Sequence, residues 1–319
     1  MKLRAIALPL GVSLVLAAAR FPAVAQPDCP PIAQVPSRQL VQAGLRNAVD
    51  RGFLWRITKA SRSSYLYGTV HVGKFDWMFP GKAVSEALLA SETIALELDM
   101  LDPDIQARLA RAMSAHPGPS LSDGLATRLA RQAQLACIDT PALARLNPML
   151  QVTTLGVLAA RQVGLDPAYG VDVFLAGFGR GAGKSVVSLE APELQMKTLL
   201  GDEPAQLLRR IEEVLTGLEQ GQVGPRLARI VQVWALSDHE RLERYEEWCE
   251  CADRETDRAL LRRLLDERNP ALAARIADLH EAGQRVFAAV GSLHMIGATG
   301  LPFLLRARGF EVERIEFQR

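Results

Sequence analysis

The chain has 319 residues, 49% hydrophobic and 23% charged, with 37 Lys and Arg against 36 Asp and Glu for a formal charge of +1. Removing Lys2, Arg4 and Arg20 with the leader described next takes that charge to −2, and acidic residues interleave with the arginines in stretches such as LERYEEWCECADRETDRALLRRLLDERN. The balance excludes a global basic field for nucleic acid and marks solvated helix faces instead.

Residues 1–25 read as a cleavable secretory signal: Lys2 and Arg4 precede an apolar run from Ile6 to Ala19, and Ala23-Val24-Ala25 supplies a small-x-small cleavage pattern. About 14 apolar residues fall short of the roughly 20 a membrane span needs, and Arg20 closes the run. Cys29 does not stand at the cleavage site, so no lipid anchor is expected either. The protein is expected in the periplasm or secreted, without a stable membrane anchor. In that oxidising setting Cys29, Cys137, Cys249 and Cys251 read as disulfides. The Cys-x-Cys pair is too close to bridge comfortably with itself, so each thiol is expected to reach a distant partner, with Cys137 preferred for one of them. Two cysteines at that spacing are weak evidence for a metal site.

Residues 26–52 read as an N-terminal leader, rich in Pro, Gln and Ala up to about 45, and 53–319 as one α/β domain without a Pro/Gly/Ser linker. Phe53 to Thr58 and Ser64 to Val70 flank the polar stretch 59–63 as a β-hairpin. A helix follows from Pro80 to about Ala90, then a strand over Thr93–Asp99 with Ile94, Leu96 and Leu98 on one face. Helical spacing runs from Asp102 to about Cys137, broken at His116-Pro117-Gly118-Pro119, and again from Met149 to Val163, where Gly164 is the stop. Val171 to Phe178 is helical and Ser185–Glu190 a short strand. Helices fill 203–281. A strand Arg285–Val290, a loop through His294, a helix Leu301–Arg308 and a strand Glu311–Phe317 close the chain. Few strands among many helices imply a central mixed sheet covered by helices, with a helical insertion.

Two segments echo each other: LYGTVH and AVGSLH are each a strand followed by Gly-x-x-His, with Gly68 and Gly291 as the turn glycines. In open α/β sheets ligands bind outside the strand carboxyl ends, where His71 and His294 would then converge. Glu97 interrupts an apolar strand, where an unpaired carboxylate is expensive. It needs either an arginine partner or a role as metal ligand or general base. Two imidazoles and a carboxylate suit a divalent metal such as Zn, Mn or Fe, which acidifies its water and polarises a carbonyl. His116, His239 and His280 read as structural, the last at a helix C-terminus that favours a cation. The Gly-Lys-Ser at 183–185 leads into a strand, the wrong order for a phosphate loop.

The stretches YLYGTVHVG, IALELD, YGVDVFL, GKSVVSLEAPELQ, ERNPALAARI and VGSLHMIGATGLPFLLRARGFEVERI occur in one order that resembles the TraB/GumN family, related to the Tiki metalloproteases. The resemblance implies a site made of His71, His294 and Glu97, with Asp172, Glu190, Arg268 and Asn269 in further matching segments. Each of these has a structural alternative: Asp172 as a helix cap, Glu190 paired with Lys184, Arg268 as a bridge between carboxylates. The function implied is an exported metal-dependent hydrolase acting on a peptide or small molecule. The alternative is a non-enzymatic module that binds a ligand such as haem.

Overall fold

The computed structural model describes residues 29–318 apart from 139, 202, 253 and 254. The signal assigned to 1–25 lies outside them. Among the described residues six strands form a mixed sheet: β1 (Phe53–Lys59), β2 (Arg62–Thr69), β3 (Thr93–Leu96), β4 (Ser185–Ser188), β5 (Val286–Gly291) and β6 (Glu311–Ile315), in the spatial order β4-β3-β5-β2-β1-β6. β1 is antiparallel to β2 and β6, whereas β2, β5, β3 and β4 run parallel.

The hairpin turns on Ala60 and Ser61, both with positive φ (52° and 60°), the geometry that matches a two-residue loop to the strand twist. β5 is the sheet's buried centre: Val286 to Val290 are all 0% exposed, so the strand shows an unbroken apolar run, as parallel strands covered on both faces do. The registers Thr69↔Gly291, Leu96↔Ala289 and Leu96↔Ser188 bring the carboxyl ends of β2, β5, β3 and β4 to one edge. That edge carries the candidate site.

One apolar cluster joins the sheet to the helices Lys82–Ala90, Val171–Gly181, Val223–Ala235, Asn269–Glu281 and Leu301–Ala307. A second is purely helical and forms the insertion; Leu207, Ile211 and Leu215 in the helix Pro204–Glu219 recur every four residues and are almost fully buried in it. The α/β sheet with helices around it and a helical insertion follows the sequence reading.

Four local readings are corrected. The strand at 93 ends at Leu96, so Glu97 stands just beyond it and not within it. The helix Pro192–Leu200 was not expected. Within the leader, where no element was assigned, Ser37 caps a helix Arg38–Arg46 by accepting from Leu40 N–H, and Gly44 lies so close to Phe79 that a β-carbon there would collide with its ring. The disulfide expectation also fails in its pairing. Cys29 pairs with Cys137 (Cα–Cα 5.7 Å), stapling the leader to the insertion, and Cys249 pairs with Cys251 (Cα–Cα 5.1 Å). The short bridge closes because Glu250 between them takes φ +54°, folding the chain back on itself.

Candidate functional site

His71 lies two residues beyond β2. Its Nδ1–H donates to Asp172 Oδ2 at 2.7 Å, while Asp172 Oδ1 accepts from the Thr69 hydroxyl at 2.6 Å. Asp172 stands in the first turn of its helix without capping it, so its carboxylate serves the β2 end and not the helix. The other ring nitrogen, Nε2, faces the sheet edge. Asp172 pulls the His71 pKa up to about 9, against the opposing effect of burial, although two-thirds of the side chain (66%) remains exposed.

His294 follows β5 in a short turn and is 4% exposed. Asn269 Nδ2 donates to the Thr299 carbonyl at 2.8 Å, which turns Asn269 Oδ1 toward His294 Nδ1–H at 2.5 Å. His294 Nε2 is thereby left as an acceptor. Burial drops the His294 pKa to about 4, so the ring is neutral at neutral pH.

Glu97 is held from two sides. Its Oε1 accepts the Gly291 N–H at 2.7 Å and its Oε2 accepts Arg268 Nη2 at 2.6 Å. The Glu190 N–H donates to the Glu97 carbonyl at 3.3 Å, which sets the second carboxylate beside the first. Arg268 forks onto Glu190 through Nε at 3.0 Å and Nη2, while Nη1 donates to Leu264 O at 2.9 Å and stands 3.5 Å from His294 Nε2. The three side chains are 8%, 10% and 3% exposed for Arg268, Glu97 and Glu190. Lys184 is engaged elsewhere, on the Ser91 carbonyl. Burial pushes Glu97 upward, but the charges of His294, His71 and Arg268 and the Gly291 N–H outweigh it and hold the carboxyl near 2. With His294 neutral, Arg268 and His71 are the cations that keep Glu97 ionised at pH 7. For Glu190 burial prevails over Arg268, and its pKa is raised.

The point where a Gly291 β-carbon would stand lies 3.2 Å from Glu97 Oε1, 3.6 Å from His71 Nε2 and 3.7 Å from His294 Cδ2. The three side chains expected to converge therefore share one cleft, with Gly291 as its floor. Gly291 has φ −49°, and Gly68 is not in the left-handed region either, so neither glycine is there to turn the chain. Gly291 lets Glu97 and the two imidazoles come this close, because a side chain there would press on the Glu97 carboxylate. At Gly68 a β-carbon would come within 3.1 Å of the Ser292 hydroxyl. Among the described residues no three His, Cys, Asp or Glu side chains are grouped closely enough to hold an ion as they stand.

The model of the TraB/PrgY/gumN family matches residues 53–314, most of the chain. The chain belongs to the TraB/PrgY/gumN family. The comparisons with curated proteins and with solved structures return no match. In this TraB/PrgY/gumN chain the two Gly-x-x-His turns, Glu97, Asp172, Glu190 and Arg268-Asn269 all lie within the matched span.

Two positioning side chains escaped the sequence reading, Thr69 on Asp172 and Ser292, whose hydroxyl donates to the Thr69 carbonyl at 2.8 Å. The available signal was that both turns read Gly-hydroxyl-x-His. The other histidines are structural in their contacts. His239 packs edge-on against Phe53 and Trp55. His280, 1% exposed, accepts from Ser64 on Nδ1 at 2.8 Å and donates from Nε2 to Lys59 O at 3.2 Å. Burial lowers its pKa, so it is a neutral core link and not the helix-end cation expected.

Proposed function

We propose that the chain is an exported hydrolase dependent on a divalent metal held by His71, Glu97 and His294, acting on peptide bonds. The observation that carries this reading is that both imidazoles spend Nδ1 on a fixed acceptor, Asp172 or Asn269, while His71 Nε2 and Glu97 Oε1 meet over Gly291 and His294 Nε2 stands 3.9 Å from Glu97 Oε2; the proton on His71 Nε2 would leave as a metal binds. Such backing is what orients histidines as ligands. The donor set fits a metal: each Glu97 oxygen has one partner and keeps a further lone pair, and the exposed His71 ring has room to approach. The identity among Zn, Mn and Fe is left to measurement. When bound, such an ion supplies an acidified water and a polarised carbonyl.

The chain's own residues have distinct tasks in this scheme. Glu97 stays ionised and would serve as the anionic ligand, its charge partly offset by Arg268. Arg268 neutralises the paired carboxylates, so that an anionic group formed in the cleft meets one net negative charge fewer. Asp172 holds the His71 ring in place. Peptide as the substrate class rests on the resemblance to the Tiki metalloproteases. A haem-binding role is less well supported, because an apolar macrocycle would have to cover Glu97, Glu190 and Arg268. Export is supported by the paired cysteines.

The test is hydrolysis of a mixed peptide pool by purified protein, after chelation and after return of Zn or Mn. Metal-restored cleavage that is lost in Glu97→Gln is the expected result. Cleavage unaffected by chelation, or retained in Glu97→Gln, would overturn the reading.

A further inference from the structure

The Cys249–Cys251 pair has no task in that scheme, and it does little for stability. A bridge across two residues of sequence removes far less freedom from the unfolded chain than one across 108, as Cys29–Cys137 does. It also requires Glu250, a non-glycine residue, to hold φ +54°. Its surroundings are those of an exchangeable bond. Cys249 is 1% exposed and Cys251 half-buried, so Cys251 is the more accessible half of the pair. The Cys251 N–H donates to Cys249 Sγ at 3.1 Å, which stabilises negative charge on that sulfur, and the Tyr245 hydroxyl donates to Cys251 Sγ at the same distance.

The pair also touches the candidate site's support. Tyr245, Cys249 and Ala252 form a small apolar cluster onto which Leu293 and Ile296 pack, and these two residues bracket His294. Glu250 at the loop's tip is tied to the helix Val223–Ala235 through Arg226 at 3.3 Å and Arg229 at 2.8 Å. The bridge thus lies between that helix and the turn that carries His294.

We propose that Cys249–Cys251 is a thiol–disulfide exchange site for an external dithiol, and that opening it loosens the turn carrying His294. In the first step a thiolate of the dithiol attacks Cys251 Sγ, forming a mixed disulfide and expelling Cys249 as a thiolate held by the Cys251 N–H. The dithiol's second thiolate then attacks its own sulfur in the mixed disulfide and expels Cys251. The dithiol ends as a disulfide, its two protons pass to Cys249 and Cys251, and the protein has gained two electrons. The proposal does not depend on the hydrolase reading, since it concerns the mobility of the turn and not what the turn acts on.

The experiment uses the whole exported chain in graded mixtures of reduced and oxidised dithiothreitol, with acid quench, alkylation and mass spectrometry of the 249–251 peptide. Amide hydrogen exchange over residues 291–296 is followed in parallel. Reversible opening of the pair in folded protein is expected, with exchange over 291–296 accelerated by about tenfold or more. The same acceleration should appear without reductant in C249S/C251S, and the response to dithiothreitol should survive in C29S/C137S. If the pair opens only in denaturant, or if exchange over 291–296 is the same in oxidised, reduced and C249S/C251S protein, the proposal is wrong. Should C249S/C251S not fold, the comparison of oxidised and reduced wild-type protein decides alone.

Discussion

Replacing Arg268 with Met keeps much of the side-chain volume and removes the cation shared by Glu97 and Glu190. In the wild type the guanidinium makes one hydrogen bond to Glu97 and two to Glu190, and the carboxylates are 10% and 3% exposed. Breaking a buried pair from one side leaves the other charge uncompensated, at a cost of about 3–5 kcal/mol, roughly a fifth or more of a typical domain's stability. The loss should depend on pH in a defined direction. Burial already raises Glu190 with Arg268 present, so its folded pKa in the variant rises further above the unfolded value near 4.5. A raised carboxyl pKa means that the penalty is complete above the folded pKa and shrinks as pH falls through it. Urea unfolding of Arg268→Met and wild type, compared at each pH from 8 to 5, should show the difference narrowing toward acid, and Arg268→Met/Glu190→Gln should recover part of it at pH 8. A loss below about 1 kcal/mol, or one constant over that range, would refute the assignment of Arg268 as the counter-ion of two buried carboxylates.

Gly291→Ala should cost about 1–3 kcal/mol in urea unfolding and sharply lower peptide hydrolysis, because a β-carbon would stand 3.2 Å from Glu97 Oε1, whose carboxylate is held on both oxygens and cannot easily give way; unchanged stability and activity would contradict this. Asp172→Asn should bring the His71 titration, followed by NMR of its ring protons, from about 9 back toward 6.5; an unmoved titration would remove Asp172 as its cause. Acid stability tests His294. The unfolded ring takes its proton near 6.5 and the folded ring near 4, so stability is lost as pH falls between these values, by about 3 kcal/mol in full. His294→Gln should flatten that part of the profile, and an unchanged slope would argue against a neutral buried His294.

Periodicity and turn chemistry made most of the sheet legible, because β1, β3 and β5 are largely apolar, and β2, with its aromatic-rich Tyr65-Leu66-Tyr67, is separated from β1 by a polar turn. The echo of Gly-x-x-His at two strand ends was enough to place His71 and His294 together, since parallel strands end at one edge. Glu97 was found for a good reason stated in a slightly wrong place: it sits one residue beyond β3, where the carboxylate reaches Arg268 and the Gly291 N–H. What was not legible depends on distant geometry. Arg268 entered only through the resemblance, which offered it as a bridge between carboxylates, and nothing local names Glu97 and Glu190 as the pair it bridges; nor does Cys-x-Cys reveal that Glu250 will adopt a left-handed backbone. The hydroxyls of Thr69 and Ser292 matter only because β2 and β5 lie side by side.

The central claim, that His71, Glu97 and His294 hold one divalent metal, is tested most directly by calorimetric titration of Zn and Mn into metal-free wild type, His71→Ala and His294→Ala, with folding checked by thermal unfolding. The account predicts one ion per wild-type chain and binding at least about tenfold weaker in each folded variant. Equal binding by all three proteins, or no binding by the wild type, would contradict it.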